Sequence, residues 1–220
     1  MITFLITTSL ELQPPLFDEV KEDFLETILE TRKQQYMRSI PKVIEFAKTI
    51  GASVIVVENN GSRPTIFDSL DCQVLYTDTN KYANTKGTNE LLDVLSCLYT
   101  FPLPDDELIV KVTGRYFVDI SGSFCSALQS YNPNTTDCII RYGSFVDSTN
   151  QNPHEDCLTG IIAMKCKYIK QMQHNPSENV EASWAKKSLE IDPERRIVLK
   201  GKIGYRMYSW NTKEITYRDL

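Results

Sequence analysis

The sequence predicts an α/β fold with a central, mostly parallel mixed sheet flanked by helices, and three observations carry that prediction. Short apolar runs of strand length recur at residues 2–7, 53–57, 72–76 and 108–112. Stretches of helical apolar spacing fall between them. Each apolar run stops abruptly in hydroxyls, amides or charges. Strands and helices in this order fit parallel strands joined by right-handed crossovers, with helices on both faces.

The elements follow in turn. Residues 2–7 form a short buried strand, and Pro14-Pro15 marks a loop after it. Phe24, Ile28, Tyr36, Ile40, Val43, Ile44 and Ala47 keep mainly helical spacing. Pro41 is expected to open or kink the second part of that helix, and Gly51 to end it. Residues 53–57 give a second strand, Asn59-Asn60-Gly61 a turn, and residues 72–76 a third strand. The stretch 65–70 is ambiguous. Leu91, Leu92, Val94, Leu95 and Leu98 supply the stripe of a helix over 89–98, with Thr88 or Asn89 as its cap. Residues 108–112 form the fourth strand. Beyond it, residues 138–142 and 160–165 read as strands and 180–189 as a helix, with Val180, Trp184 and Leu189 inward. From Arg196 onward, short apolar runs alternate with polar turns. We expect one domain over 1–220, with a nucleotide-binding half (1–120) and an acceptor-side half (121–220).

Composition narrows the function. The 220 residues can enclose a sizeable core. A formal charge of -5 speaks against a nucleic-acid partner, although a basic pocket can sit in an acidic protein. None of the six cysteines forms a C-x-x-C pair, so free thiols in a reducing compartment are expected. Zinc is disfavoured by wide spacings and only two histidines, His154 and His174. No stretch approaches about 20 apolar residues, and the first residues lack the basic region of a signal peptide. A soluble cytoplasmic location is expected.

The most informative segment is Lys111-Val112-Thr113-Gly114-Arg115-Tyr116-Phe117 at the end of the fourth strand. Ligands of open α/β sheets bind at the carboxyl ends of strands. Thr7-Thr8-Ser9, Glu58-Asn59-Asn60 and Thr77-Asp78-Thr79-Asn80 end the other three. Together they imply a shared polar site for a nucleotide-linked substrate. No G-x-G-x-x-G follows an early strand, which disfavours a Rossmann dehydrogenase. The first loop is acidic and proline-bearing rather than glycine-rich and basic, which disfavours a nucleotidyltransferase.

In the order and placement of these segments the chain resembles compact GT-A glycosyltransferases, especially those encoded by large algal (chlorella) viruses, where such a domain stands at the N-terminus. The resemblance rests on Thr7-Thr8, Val57-Glu58-Asn59-Asn60, Tyr76-Thr77-Asp78, the stretch from Lys86 to Asn89, and Lys111 to Tyr116. It implies transfer of a sugar from a UDP-sugar to a glycan acceptor with Mn2+ or Mg2+, in viral capsid glycan synthesis in the host cytoplasm, and leaves room for further domains of a longer polypeptide. The alternative is a catalytically inactive nucleotide-sugar-binding module. One departure is plain: no aspartate-x-aspartate follows the fourth strand, and Asp78-Thr79-Asn80 holds a single carboxylate.

Under that resemblance, Asp78 could anchor the metal, bind the uridine side of the donor or cap its loop. Thr7, Thr8 and Glu58 could bind base and ribose or simply shape turns. Lys86 and Asn89, at a helix start, suit a pyrophosphate; a solvated loop lysine is the plainer alternative. Lys111 and Arg115 could offset charge on the leaving UDP, while Gly114 lets the backbone approach the donor. Arg115 could equally brace the sheet. Glu181 ranks first as general base of an inverting transfer, Asp156 second, with Glu155 and Glu178 as further candidates; Glu181 also suits a helix start. Trp184, Tyr116 and Phe117 could line a sugar ring or pack in the core, and Trp210 could close the pocket.

Overall fold

The computed structural model describes residues 1–11, 22–81, 85–143, 156–173, 179–210 and 215–219. Its first half runs β1 (Ile2–Thr8), α1 (Glu22–Thr49), β2 (Ser53–Glu58), β3 (Gln73–Tyr76), α2 (Lys86–Thr100) and β4 (Leu108–Thr113). Then come β5 (Phe117–Val118), α3 (Ser123–Gln129), β6 (Cys138–Ile140), β7 (Ile161–Lys165), α4 (Cys166–Ile169) and α5 (Val180–Leu189). Last are β8 (Arg196–Val198), β9 (Tyr205–Trp210) and β10 (Ile215–Asp219).

Seven strands form the central sheet in the order β3-β2-β1-β4-β7-β6-β8. β7 is antiparallel to both its neighbours, and the remaining pairs are parallel. This is the mixed, mostly parallel sheet that the strand order predicts. Side chains alternate across it. Phe4, Ile6, Val110 and Val112 pack toward α1 and α3, while Leu5, Ile55, Val57 and Ile109 pack toward α2 and α5. A second sheet, β10-β9-β5, lies on the α1 side, where Val118, Tyr205 and Met207 join the core.

Several boundaries differ from the sequence reading. α1 continues unbroken through Pro41, because Ile40, Val43, Ile44 and Ala47 bury one face on both sides of it. Gly51, at φ +66°, ends that helix as expected: Gly51 N–H donates to Lys48 O at 3.2 Å and Ala52 N–H to Ala47 O at 2.9 Å, a Schellman closure. α2 starts earlier than its apolar stripe, since Thr85, not Thr88 or Asn89, accepts the capping bond from Thr88 N–H at 3.3 Å. The stretch after Arg63 holds a 3-10 turn, Ile66–Ser69, closed by a capping box of Thr65 and Asp68. Trp184 is 2% exposed and belongs to the core beneath α5. Phe117 lies in β5 under Lys42, whose ammonium stands 4.7 Å from its ring. All six cysteines are free thiols, and no helix among the described residues is long and apolar enough to cross a membrane.

Candidate functional site

After β1 the chain adds β2 and β3 on one side, then returns to place β4 on the other. The sheet therefore has a switch point between β1 and β4, where the carboxyl ends of two parallel strands diverge. Thr7 pairs with Thr113 there. Gly114 follows, and its N–H donates to Thr7 O at 2.9 Å. A Cβ on Gly114 would stand 2.8 Å from Ile6 Cγ2 and 3.1 Å from Thr7 O, so any larger residue would push the segment off β1. Glycine thus lets Arg115 cross the end of β1.

The half-buried Arg115 guanidinium lies 4.6 Å from the Tyr116 ring centre, and its Nη2 donates to Tyr116 Oη at 2.8 Å. Among the described residues it forms no ion pair. A second arginine approaches from α1. Arg32 is 5% exposed; its Nη2 donates to Ser9 O at 2.5 Å and lies 3.3 Å from Tyr36 Oη. Its Nε and Nη1 are buried with no partner. Burial lowers the Arg32 guanidinium from its ordinary value, and the charge of Arg115 acts in the same direction. Lys86, in the first turn of α2, completes the cluster. Surrounding protein, then the charges of Arg115 and Arg32, bring its ammonium down to about 8 although the residue itself is open to solvent.

The sequence reading overlooks Arg32. Its signal is present nonetheless: Ile28, Arg32, Tyr36, Ile40 and Ile44 recur every four residues, so one cation sits on the ridge that α1 buries.

The acidic groups of the first half turn inward. Glu58 is fully buried, accepts from Thr8 Oγ1 at 2.7 Å and Leu10 N–H at 3.1 Å, and lies 3.9 Å from Arg63. Burial raises its carboxyl above the usual range. Thr7 Oγ1 points to Val112 O at 3.4 Å. Asp93 on α2, also unforeseen, is fully buried and accepts from Thr77 at 2.9 Å, Asn59 at 3.0 Å and Thr79. Desolvation pushes its carboxyl up to about 7. Around it, Asn59 Oδ1 and both amide atoms of Asn80 are buried without partners, as is Asn89 Oδ1 on α2.

Lys111 points to the α2 face because it alternates with Val110 and Val112. It is 2% exposed and paired with Glu90, with further bonds to Thr113 Oγ1 at 2.9 Å and Thr159 O at 2.7 Å. Glu181 and Asp156 meet on the far side. Asn179 caps α5 by accepting from Glu181 N–H at 3.2 Å, and Cys157 Sγ lies 3.2 Å from Glu181 O. Asp156 Oδ1 is buried without a partner. Burial, then the charge of Asp156, raises the half-buried Glu181 carboxyl. Glu155, Glu178 and the side chain of Trp210 lie outside the described residues.

A hard divalent cation asks for several oxygen ligands. Asp78 supplies one carboxylate, about half exposed and paired with Lys81 at 3.3 Å. Among the described residues no three His, Cys, Asp or Glu side chains stand close enough to hold a metal ion. Among the described residues the side chains do not fit a resident Mn2+ or Mg2+.

The fold is of the GT-A type, and a solved glycosyltransferase shares it. A mannosyltransferase from Pyrobaculum calidifontis, in complex with GDP-Man and Mn2+, aligns with a TM-score of 0.53 at 10% identity, over 90% of this chain and 54% of its own. This chain thus spans about half of that structure. Two further structures align less closely. A glycosyltransferase involved in glycosylation of the major capsid of PBCV-1 has a TM-score of 0.46 at 11% identity, over 90% of this chain and 81% of its own. A Bacillus anthracis protein assigned as a glucose-1-phosphate thymidylyltransferase, in complex with a sucrose, has 0.45 at 8%, over 93% and 88%. The sequence matches no protein-family model and no curated protein.

Proposed function

We propose that the protein is a glycosyltransferase that moves a sugar from a UDP-sugar donor to a glycan acceptor with inversion. One observation supports this reading above others. At the switch point of a GT-A-like sheet, two arginines form no ion pair among the described residues, and the Glu181 carboxylate stands beside Gly87, next to Lys86 in the first turn of α2. Cations suit a diphosphate leaving group, because they stabilise the charge that grows on it as the glycosidic bond breaks. Thr7, Thr8 and Glu58 would lie beneath base and ribose, and the unmet Asn59 Oδ1 and Asn80 side-chain amide offer hydrogen-bonding groups nearby.

In the transfer, the acceptor oxygen bonds to the anomeric carbon while the bond from that carbon to the diphosphate oxygen breaks. The acceptor's proton passes to Glu181, whose raised carboxyl suits it to act as a base nearer neutrality. Asp156 is the second candidate. Mn2+ or Mg2+, which the resemblance implies, would meet the protein at Asp78 among the described residues. On the resemblance alone, we take the acceptor to be a glycan of the viral capsid type, and 1–120 and 121–220 to be the donor and acceptor halves.

Replacing the base is the direct test. Glu181→Gln should keep donor affinity and lower kcat by roughly 10²–10⁴-fold, with Asp156→Asn milder. Wild-type turnover in Glu181→Gln removes Glu181 from the role, and a product that retains the donor's anomeric configuration removes the inverting base altogether. A second reading, an inactive nucleotide-sugar-binding module, is favoured by the solitary Asp78; donor binding without transfer to any glycan would establish it.

A further inference from the structure

We infer that Arg32 and Arg115, with Lys86 beside them, bind the donor's diphosphate directly and hold it without a divalent cation. The inference rests on the donor reading above and goes beyond it by naming what replaces the metal.

Arg32 is the strongest observation. A guanidinium that is 5% exposed, with Nε and Nη1 unmet, leaves a buried charge uncompensated, which is costly in a folded protein. The acid whose charge reaches it, Glu58, is already held by Thr8, Leu10 and Arg63. A ligand anion would supply the missing partner. Arg115 lies across the β1 end from it, held by Gly114 and Tyr116 and joined to no carboxylate among the described residues. Two planar guanidinium groups suit two phosphates, since each offers paired N–H donors matched to phosphate oxygens. Lys86 adds a third charge from the start of α2.

Placement supports the same conclusion. The cations stand at the β1–β4 switch point, where a donor's phosphates are expected in this type of sheet. The Thr113-Gly114-Arg115 segment occupies the end of β4, and Asp78 at the end of β3 is a lone carboxylate paired with Lys81. A metal at a diphosphate neutralises charge and orients oxygens. Fixed guanidinium groups can do both, and Arg32 is fixed by Ser9 and Tyr36.

The test is calorimetry on the full 220-residue chain with UDP, inorganic pyrophosphate and uridine, each in EDTA and in MnCl2. We expect UDP and pyrophosphate to bind in EDTA with affinities within about threefold of those in Mn2+. Loss of a charge-assisted contact should weaken both by about ten- to a hundredfold in Arg32→Gln and in Arg115→Gln, and leave uridine unchanged. Arg115 is only half buried, so its variant decides the matter if Arg32→Gln fails to fold. UDP binding that requires Mn2+, or that is unchanged in Arg115→Gln, overturns the inference. Transfer activity seen only with Mn2+ would then leave the glycosyltransferase reading standing. Pyrophosphate binding in EDTA without UDP binding would keep the anion site and remove the UDP donor.

Discussion

Two corners of one sheet edge treat their charges differently. At the β2–β3 corner, Glu58 and Asp93 are fully buried, and each accepts two or three hydrogen bonds from its own chain. At the β1–β4 corner, Arg32 is just as deep but keeps two nitrogens unmet, and Arg115 forms no ion pair among the described residues, although the charge of Glu90 reaches it. The contrast recurs within four residues of β4 and its loop: Lys111 is paired with Glu90, whereas Arg115 rests on an aromatic ring. Charges answered from within the chain hold the fold together. Charges left unanswered store a cost that a bound anion would relieve.

Lys111→Ala should give the largest effect. Removing one partner from a buried pair costs about 3–5 kcal/mol, and the lower end applies because water reaches part of Glu90. Urea unfolding would show it. If Lys111→Ala instead leaves the midpoint unmoved and abolishes UDP binding, the lysine belongs with the site and the contrast fails.

Asp93 should give an intermediate, pH-dependent effect. Its carboxyl keeps a proton up to about 7 in the folded chain, against an ordinary value of 3.8. Between those values the folded state binds more protons than the unfolded state, so raising the pH removes stability. The contribution is full below about pH 4, falls through that window and is gone above about 7, on the order of 2–4 kcal/mol in all. Melts at pH 4.5 and pH 7.5 would measure it, in wild type against Asp93→Asn. Identical pH profiles for the two proteins would show that Asp93 ionises without cost to the fold.

Arg115→Gln should be the mildest for stability. It gives up a contact with the Tyr116 ring worth under about 1 kcal/mol, while donor affinity falls as described above. A large drop in melting temperature would move Arg115 to the structural side.

Local signals decided much of this protein. The four apolar runs and their polar ends were legible because a buried strand must be apolar and must stop where its backbone leaves the core. Gly51 was legible as a helix terminus, and residues 180–189 became α5 with the expected bounds. Gly114 reads in the sequence as an approach to the donor, whereas its close pass over β1 came from the fold. The second sheet was not legible, since β5 is two residues long and is held by pairing with β9 across some ninety positions of chain. The start of α2 was set by Thr85, outside the apolar stripe. Above all, tertiary structure divided the charges. Lys111 and Arg115 look alike in the sequence, and Arg32 looks like an ordinary helical arginine. Whether a cation is neutralised depends on groups brought close through space, and only the folded sheet sets Glu90 against Lys111 while leaving Arg32 and Arg115 together at the end of β1.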